Sequence, residues 1–134
     1  DDRLNRDKLF GDAKTFFLVN EFKSNDPILI KQFGYIAKDL FKILGDWYGP
    51  GTIYNIQFAL LSPGDEIKRH YDGGLQFSLS QRIHVPLVTC DDVIFNIGNR
   101  RYNLEVKNTS QNTNRLHLII DYVAQKHVRF LFSP

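Results

Sequence analysis

The chain changes its hydrophobic periodicity at Gly49-Pro50-Gly51, and this change limits the folds that it can adopt. Upstream, the cap-type residues Ser24-Asn25-Asp26 precede Pro27, and apolar residues then recur every three or four positions as far as Leu44. This pattern predicts one amphipathic helix over about residues 27–47, with one apolar face to bury.

Downstream of Gly51 the sequence pattern is typical of strands, with short apolar segments and segments in which apolar and polar residues alternate. The predicted strands cover residues 52–61, 81–88, 92–97, 101–105, 115–123 and 128–132, and residues 15–19 are expected to form an earlier short strand or buried segment. A helix followed by many short strands favours a mainly β fold, either a sandwich or a small barrel, with an N-terminal helical cover.

The composition is that of an ordinary globular domain. The chain has 134 residues, of which 43% are apolar and 24% charged, enough for a single domain over residues 1–134 with its own core. A net charge of +2 gives no reason to expect a nucleic acid or an anionic membrane as partner, and no apolar run approaches the ~18 residues of a spanning helix. Cys90 is the only cysteine, so no intrachain disulfide can form, and we expect a cytoplasmic protein.

The pair His70-x-Asp72 is the first candidate for chemistry. On a strand, side chains two positions apart point to the same side, so these two could hold one cation through an imidazole nitrogen and a carboxylate oxygen. The turns Ser62-Pro63-Gly64 and Gly73-Gly74 bracket the pair, as expected of a short segment that carries a site. The alternative is a surface loop with a solvated histidine.

Two arginines are candidates for binding an anion. Arg82 and His84 share one face of a strand whose other face is apolar, so they either meet water at an edge or offer fixed donors to a carboxylate. Arg115 opens a strongly apolar strand, and it either lies at the solvent boundary or reaches inward to a buried anion. Two residues on, His117 is more typical of a core or edge histidine than of a ligand.

Taken in order, these segments resemble the aspartyl/asparaginyl β-hydroxylase family, a branch of the iron(II)/2-oxoglutarate oxygenases. The resemblance covers about residues 52–123. The matching residues are Leu61-Ser62-Pro63-Gly64, His70-x-Asp72, Arg82-Ile83-His84-Val85-Pro86-Leu87 and Arg115-Leu116-His117-Leu118-Ile119-Ile120-Asp121. The family fold is a double-stranded β-helix, a jelly-roll and cupin-like architecture.

The resemblance implies roles for particular residues. His70 and Asp72 would be iron(II) ligands, Arg82 and His84 would lie near the 2-oxoglutarate carboxylates, and Arg115 would pair with the distal carboxylate. Asp121 matches a family position to which we assign no role. The implied partners are 2-oxoglutarate, dioxygen and a peptide or amino-acid substrate.

The chain departs from the family pattern where the third iron ligand is expected. No histidine lies between Glu105 and Arg115, and the residues that would follow it run on directly from Val106. Either the protein has lost this ligand, or about a dozen residues, a strand and its turn, are absent from this sequence near Glu105/Val106. We favour the second, because losing a strand would leave an unpaired sheet edge. The sequence also contains no methionine, not even at position 1.

The sequence therefore predicts an iron(II)- and 2-oxoglutarate-dependent hydroxylase that acts on an aspartyl, asparaginyl or other amino-acid side chain. The first alternative is a non-catalytic jelly-roll module that binds a small carboxylate. The second is a metal-dependent isomerase or lyase on a cupin-type barrel, since a fold does not fix a function.

Overall fold

The computed structural model describes residues 13–20, 27–71, 79–97 and 103–127. These ranges contain one long helix, α1 (Pro27–Tyr48), and seven strands. The strands are β1 (Lys14–Asn20), β2 (Gly51–Leu61), β3 (Glu66–Tyr71), β4 (Ser80–Val88), β5 (Val93–Ile97), β6 (Asn103–Asn108) and β7 (Arg115–Ala124). The helix and the strands predicted at 52–61, 81–88, 92–97 and 115–123 are confirmed, and residues 15–19, predicted as a short strand or a buried segment, belong to a strand. The strand predicted at 128–132 lies outside the described residues.

Helix α1 ends where the sequence predicts. Gly49 adopts a positive φ of 81°, and its N–H donates to the carbonyl of Gly45 at 2.9 Å. A left-handed glycine directly after the last turn satisfies a carbonyl that would otherwise have no partner in the helix. The chain then leaves the helix at Pro50 and enters β2.

The strands form two antiparallel sheets, so that the predicted β-rich class is confirmed. The four-stranded sheet has the order β1-β2-β7-β4, and the three-stranded sheet has the order β3-β6-β5. In the smaller sheet, β6 pairs antiparallel with both neighbours, with Val93 opposite Asn108 and Ile97 opposite Leu104. The predicted hairpin of β5 and β6 is therefore confirmed as a strand pair.

The end of β6 differs from the prediction, which placed a strand at 101–105, and residues 101 and 102 lie outside the described residues. The observed strand is Asn103–Asn108. Leu104 and Val106 both belong to one apolar cluster, and pairing with β5 holds the chain extended as far as Asn108. The register runs through Glu105 and Val106 without interruption. A missing segment at this point is a statement about the covalent chain and stays a prediction, which the mass of the intact protein tests.

The described residues divide into two compact units. The first contains residues 13–15, 59–71, 86–97 and 103–117, within the described ranges, and its apolar cluster is built on Leu61, Ile67 and Val106. The second contains residues 16–20, 27–58, 79–85 and 118–127, within the described ranges. Its core consists of Leu44, Ile53, Ile56, Leu118, Ile120 and Tyr122, with Ile83 and Val85 of β4 packed against it. The single-domain assignment stays a prediction. No helix in the described ranges has the length and apolar character needed to cross a membrane.

Candidate functional site

The guanidinium of Arg115 is a buried charged group among the described residues of the first unit. Arg115 is the first residue of β7, and only 1% of its surface is exposed. The sequence left open whether this arginine meets solvent or points inward, and the structure buries it. A buried positive charge is costly unless an anion or several hydrogen bonds compensate it.

Among the described residues, Arg115 has few partners. Its Nη2 lies 2.8 Å from Nδ1 of His117, and its Cζ lies 5.8 Å from the ring centre of Phe95. Its Nε is buried and has no hydrogen-bond partner there. Burial alone lowers the pKa of Arg115, to about 10, and no described carboxylate pairs with it. The guanidinium is therefore a charged donor with at least one N–H group that no described residue accepts from.

His117 is the hydrogen-bonding neighbour of the guanidinium. An arginine can only donate, so Nδ1 of His117 must accept this hydrogen bond and the proton of the neutral ring must be on Nε2. Burial, and then the charge of Arg115, lower the pKa of His117 to about 4, so the ring is neutral at pH 7. The ring centres of His117 and Phe95 are 5.5 Å apart and tilted by 54°. The sequence predicted a core or edge histidine at position 117, and the structure buries it; its two-residue spacing from Arg115 places both side chains on the same side of β7.

Asn108 positions the loop that delivers Arg115 to β7. Its Nδ2 donates to the carbonyls of Leu61 at 3.0 Å and of Thr113 at 2.8 Å. Its Oδ1 accepts from the backbone N–H of Ser110 at 3.2 Å and from the hydroxyl of Ser110 at 2.7 Å. The buried side chain of Asn108 therefore takes part in four hydrogen bonds, two donated and two accepted, that hold the connection between β6 and β7. Sequence reasoning missed Asn108, although Asn-Thr-Ser after a strand is a pattern typical of side chains that bond the backbone.

The same residue reaches the turn that precedes β3. Gly64 has a positive φ of 83°, and the N–H of Asp65 donates to the carbonyl of Ser62, as expected for a turn with proline and then glycine at its centre. The backbone of Asn108 exchanges hydrogen bonds with this turn, accepting from Gly64 at 2.8 Å and donating to Asp65 at 2.9 Å. The turn predicted from Ser62-Pro63-Gly64 is thus confirmed and joined to the start of the loop before Arg115.

His70 lies on β3 opposite Leu104, next to an irregularity of register between Ile67 and His70. Its Nδ1 lies 2.9 Å from the carbonyl of Lys68, and since a carbonyl only accepts, Nδ1 carries a proton. Asp72, the predicted second metal ligand, lies outside the described residues. Within the described ranges, no three side chains of His, Cys, Asp or Glu are grouped to hold a metal ion.

Arg82, the other predicted anion-binding arginine, has a carboxylate partner within the chain. Its Nε and Nη2 donate to the two carboxylate oxygens of Asp121 at 2.8 and 2.9 Å. Nδ2 of Asn55 donates to the same carboxylate at 2.9 Å. Asp121 therefore has a structural role, which the sequence did not assign. His84 follows two residues after Arg82 on β4 and is half-buried. The predicted contact of Arg82 and His84 with 2-oxoglutarate stays a prediction.

Comparisons of this chain with family models, with curated proteins and with solved structures found no match.

Proposed function

We propose that this protein is an iron(II)- and 2-oxoglutarate-dependent hydroxylase acting on an aspartyl, asparaginyl or other amino-acid side chain. In this proposal Arg115 binds the distal carboxylate of 2-oxoglutarate. The two-sheet architecture would then be a double-stranded β-helix of the jelly-roll and cupin-like type.

The observation that carries the proposal is the contrast between the two arginines. The Nε and Nη2 groups of Arg82 both bind a carboxylate that the chain itself supplies. Arg115 is more deeply buried, has an Nε without a partner among the described residues, and has a neutral histidine as its hydrogen-bonding neighbour. Keeping such a charge unpaired opposes folding, so a ligand that carries the missing carboxylate explains why the position holds an arginine.

The residues present are compatible with an iron site but supply only part of it. Nδ1–H of His70 donates to a backbone carbonyl, which is the arrangement by which metal-binding histidines commonly present their Nε2 lone pair. His70 and Asp72 would hold the metal, together with a histidine from the segment predicted to be missing near Glu105. When bound, iron and 2-oxoglutarate would supply the oxidation that places a hydroxyl group on the substrate. The chain itself would bind the co-substrate through Arg115 and orient it.

Binding of 2-oxoglutarate to the purified protein tests the anion site. We expect saturable binding by calorimetry, and we expect Arg115→Leu to weaken it about 30-fold or more, since truncating a buried charge pair costs ~2–5 kcal/mol. Arg69→Leu is the matched control, because Arg69 is 60% exposed and lies near Glu105 on the surface of the same unit. Equal affinity of the wild-type protein and Arg115→Leu would exclude Arg115 from the site.

Turnover and metal binding test the enzyme itself. With iron(II), ascorbate and 2-oxoglutarate, we expect succinate formation that His70→Ala abolishes, together with loss of iron binding in anaerobic calorimetry. His127→Ala is the control for removal of a half-buried histidine. Iron affinity in His70→Ala equal to that of the wild-type protein would exclude His70 as a ligand. The intact mass, set against 15.6 kDa, shows whether residues are missing from this sequence.

One sequence observation favours the second candidate, a non-catalytic module that binds a small carboxylate. Residues 98–114 contain no histidine, so the chain as written provides no third ligand of the expected type. For this module we expect binding of 2-oxoglutarate that depends on Arg115 and is unaffected by iron, with no succinate formed. The turnover experiment therefore separates the two candidates.

A further inference from the structure

We propose that His117 is a positioning residue for the anion site: it fixes the guanidinium of Arg115 as a neutral hydrogen-bond acceptor and so preserves the positive charge for a carboxylate ligand. This inference rests on the proposed carboxylate site at Arg115. It adds a residue to that site and specifies why the residue must be uncharged.

The geometry leaves His117 one role toward Arg115. The 2.8 Å contact joins a group that can only donate to Nδ1 of the ring, so His117 accepts. Both side chains are almost fully buried, with 1% of Arg115 and 6% of His117 exposed. Two positions apart on β7, they lie on the same side of the strand. A buried hydrogen bond of this kind restricts the rotation of the guanidinium before any ligand arrives.

A second contact holds the imidazole itself. Phe95 on β5 lies 5.5 Å from the ring of His117 and 5.8 Å from Cζ of Arg115, both between group centres. The aromatic ring thus packs against both members of the pair. A tilted aromatic contact and a cation over a ring face are each favourable. Phe95 therefore limits the movement of the histidine, and through it the movement of the arginine.

The neutral acceptor distinguishes this arginine from Arg82. Asp121 gives Arg82 both hydrogen bonds and charge compensation, so the pair carries no net charge. His117 gives Arg115 a hydrogen bond without compensating its charge, because burial and the neighbouring guanidinium keep the ring unprotonated at neutral pH. The site then presents one positive charge to a ligand, which suits a single carboxylate group. An acidic residue in place of His117 would occupy the guanidinium and exclude the ligand.

Three substitutions at one position separate these contributions. His117→Asn keeps a neutral acceptor, His117→Leu removes the acceptor, and His117→Asp keeps an acceptor but adds a negative charge. In titrations of 2-oxoglutarate by calorimetry, in chloride-free buffer at pH 7.5, we expect His117→Asn to bind within about fivefold of the wild-type protein. His117→Leu should bind on the order of tenfold more weakly, as for loss of a hydrogen bond to a charged group. His117→Asp should bind at least 100-fold more weakly, since its carboxylate competes with the ligand at Arg115. His127→Leu is the matched control and should bind as the wild-type protein does.

A spectroscopic measurement on the unmodified protein keeps the inference testable if a variant does not fold. In ¹⁵N NMR of the histidine ring, His117 should show an unprotonated Nδ1 and a protonated Nε2 at pH 7. A protonated Nδ1, or His117→Asp binding as tightly as the wild-type protein, would overturn the role of His117. If the wild-type protein binds 2-oxoglutarate and the three variants bind it as tightly as the wild-type protein does, the role of His117 is wrong and the proposed function is unaffected. If the wild-type protein does not bind 2-oxoglutarate, both the proposed function and this inference are wrong.

Discussion

Arg82 and Asp121 form a two-point ion pair between the neighbouring strands β4 and β7, with N–O distances of 2.8 and 2.9 Å. The two side chains differ in their access to solvent, since 26% of the Arg82 side chain is exposed but only 2% of that of Asp121. Burial, and then the charge of Asp121, raise the pKa of the nearby Tyr54. The carboxylate is thus the deeply buried member, and it depends on Arg82 and Asn55 for compensation.

This difference predicts that removing Arg82 and removing Asp121 lower the free energy of unfolding by different amounts. Arg82→Leu leaves a buried carboxylate without its cation and should lower the free energy of unfolding by about 3–5 kcal/mol. Asp121→Asn leaves an arginine that can reach water and keeps one acceptor, so its cost should be about 1–3 kcal/mol. Urea unfolding at pH 7 measures both values. A larger loss for Asp121→Asn than for Arg82→Leu would contradict this assignment of the buried partner.

Removing Arg115, unlike removing Arg82, should not lower the free energy of unfolding of the ligand-free protein. Arg115→Met keeps most of the length of the side chain but removes a buried charge that no described carboxylate compensates. Without ligand, the free energy of unfolding should stay the same or rise by about 1–2 kcal/mol, because relief of the charge opposes loss of the hydrogen bond to His117. The same variant should lose binding of 2-oxoglutarate, as expected where function and stability compete. Urea unfolding with and without 2-oxoglutarate tests both parts, and a loss above about 2 kcal/mol in the ligand-free protein would assign Arg115 to the fold.

The sequence predicts those parts of the structure that depend on local periodicity. The three- and four-residue spacing and the Gly49 terminus placed α1 at 27–47, and the structure has it at Pro27–Tyr48. Apolar runs likewise located β2 and β7 to within about two residues. The end of β6 was placed too early because its last residues, Lys107 and Asn108, are polar and are held extended by pairing with β5.

The site residues were less predictable, because their partners come from other strands. Nothing near Arg82 indicates that Asp121 is its partner; that contact requires β4 to lie beside β7 in a particular register. The burial of Arg115 accompanies a loop fixed by Asn108, whose contacts with Leu61 cross 47 positions of sequence. The pairing of His117 with Arg115 could have been predicted from the sequence, since residues two apart on a strand share a face.

The histidine at position 117 should also make the protein sensitive to acid. The pKa of His117 is lowered from 6.5 to about 4 on folding, so the unfolded chain binds a proton at higher pH than the folded protein does. Between those values the unfolded state holds more protons, and the free energy of unfolding should fall by up to about 3 kcal/mol as pH decreases from about 6.5 to 4. His117→Asn should remove this component, and His127→Asn should leave it in place. Urea unfolding at pH 7, 5.5 and 4 measures the slope, and an equal slope in the wild-type protein and His117→Asn would assign the acid sensitivity to other groups.

Asn108 offers the sharpest test of the loop that positions Arg115. In Asn108→Asp, an oxygen replaces the amide nitrogen that donates to the carbonyls of Leu61 and Thr113. Two donated hydrogen bonds are lost and acceptor atoms then face each other in a buried place, so we expect a loss of about 2–4 kcal/mol at pH 7. The matched control is Asn112→Asp, the same substitution at an exposed position of this loop, which should change stability by no more than about 0.5 kcal/mol. Because Asn108 leads into the segment that ends at Arg115, Asn108→Asp should also weaken binding of 2-oxoglutarate under conditions where the protein remains folded, as judged by circular dichroism. Wild-type stability in Asn108→Asp would show that the four hydrogen bonds of Asn108 do not hold the loop.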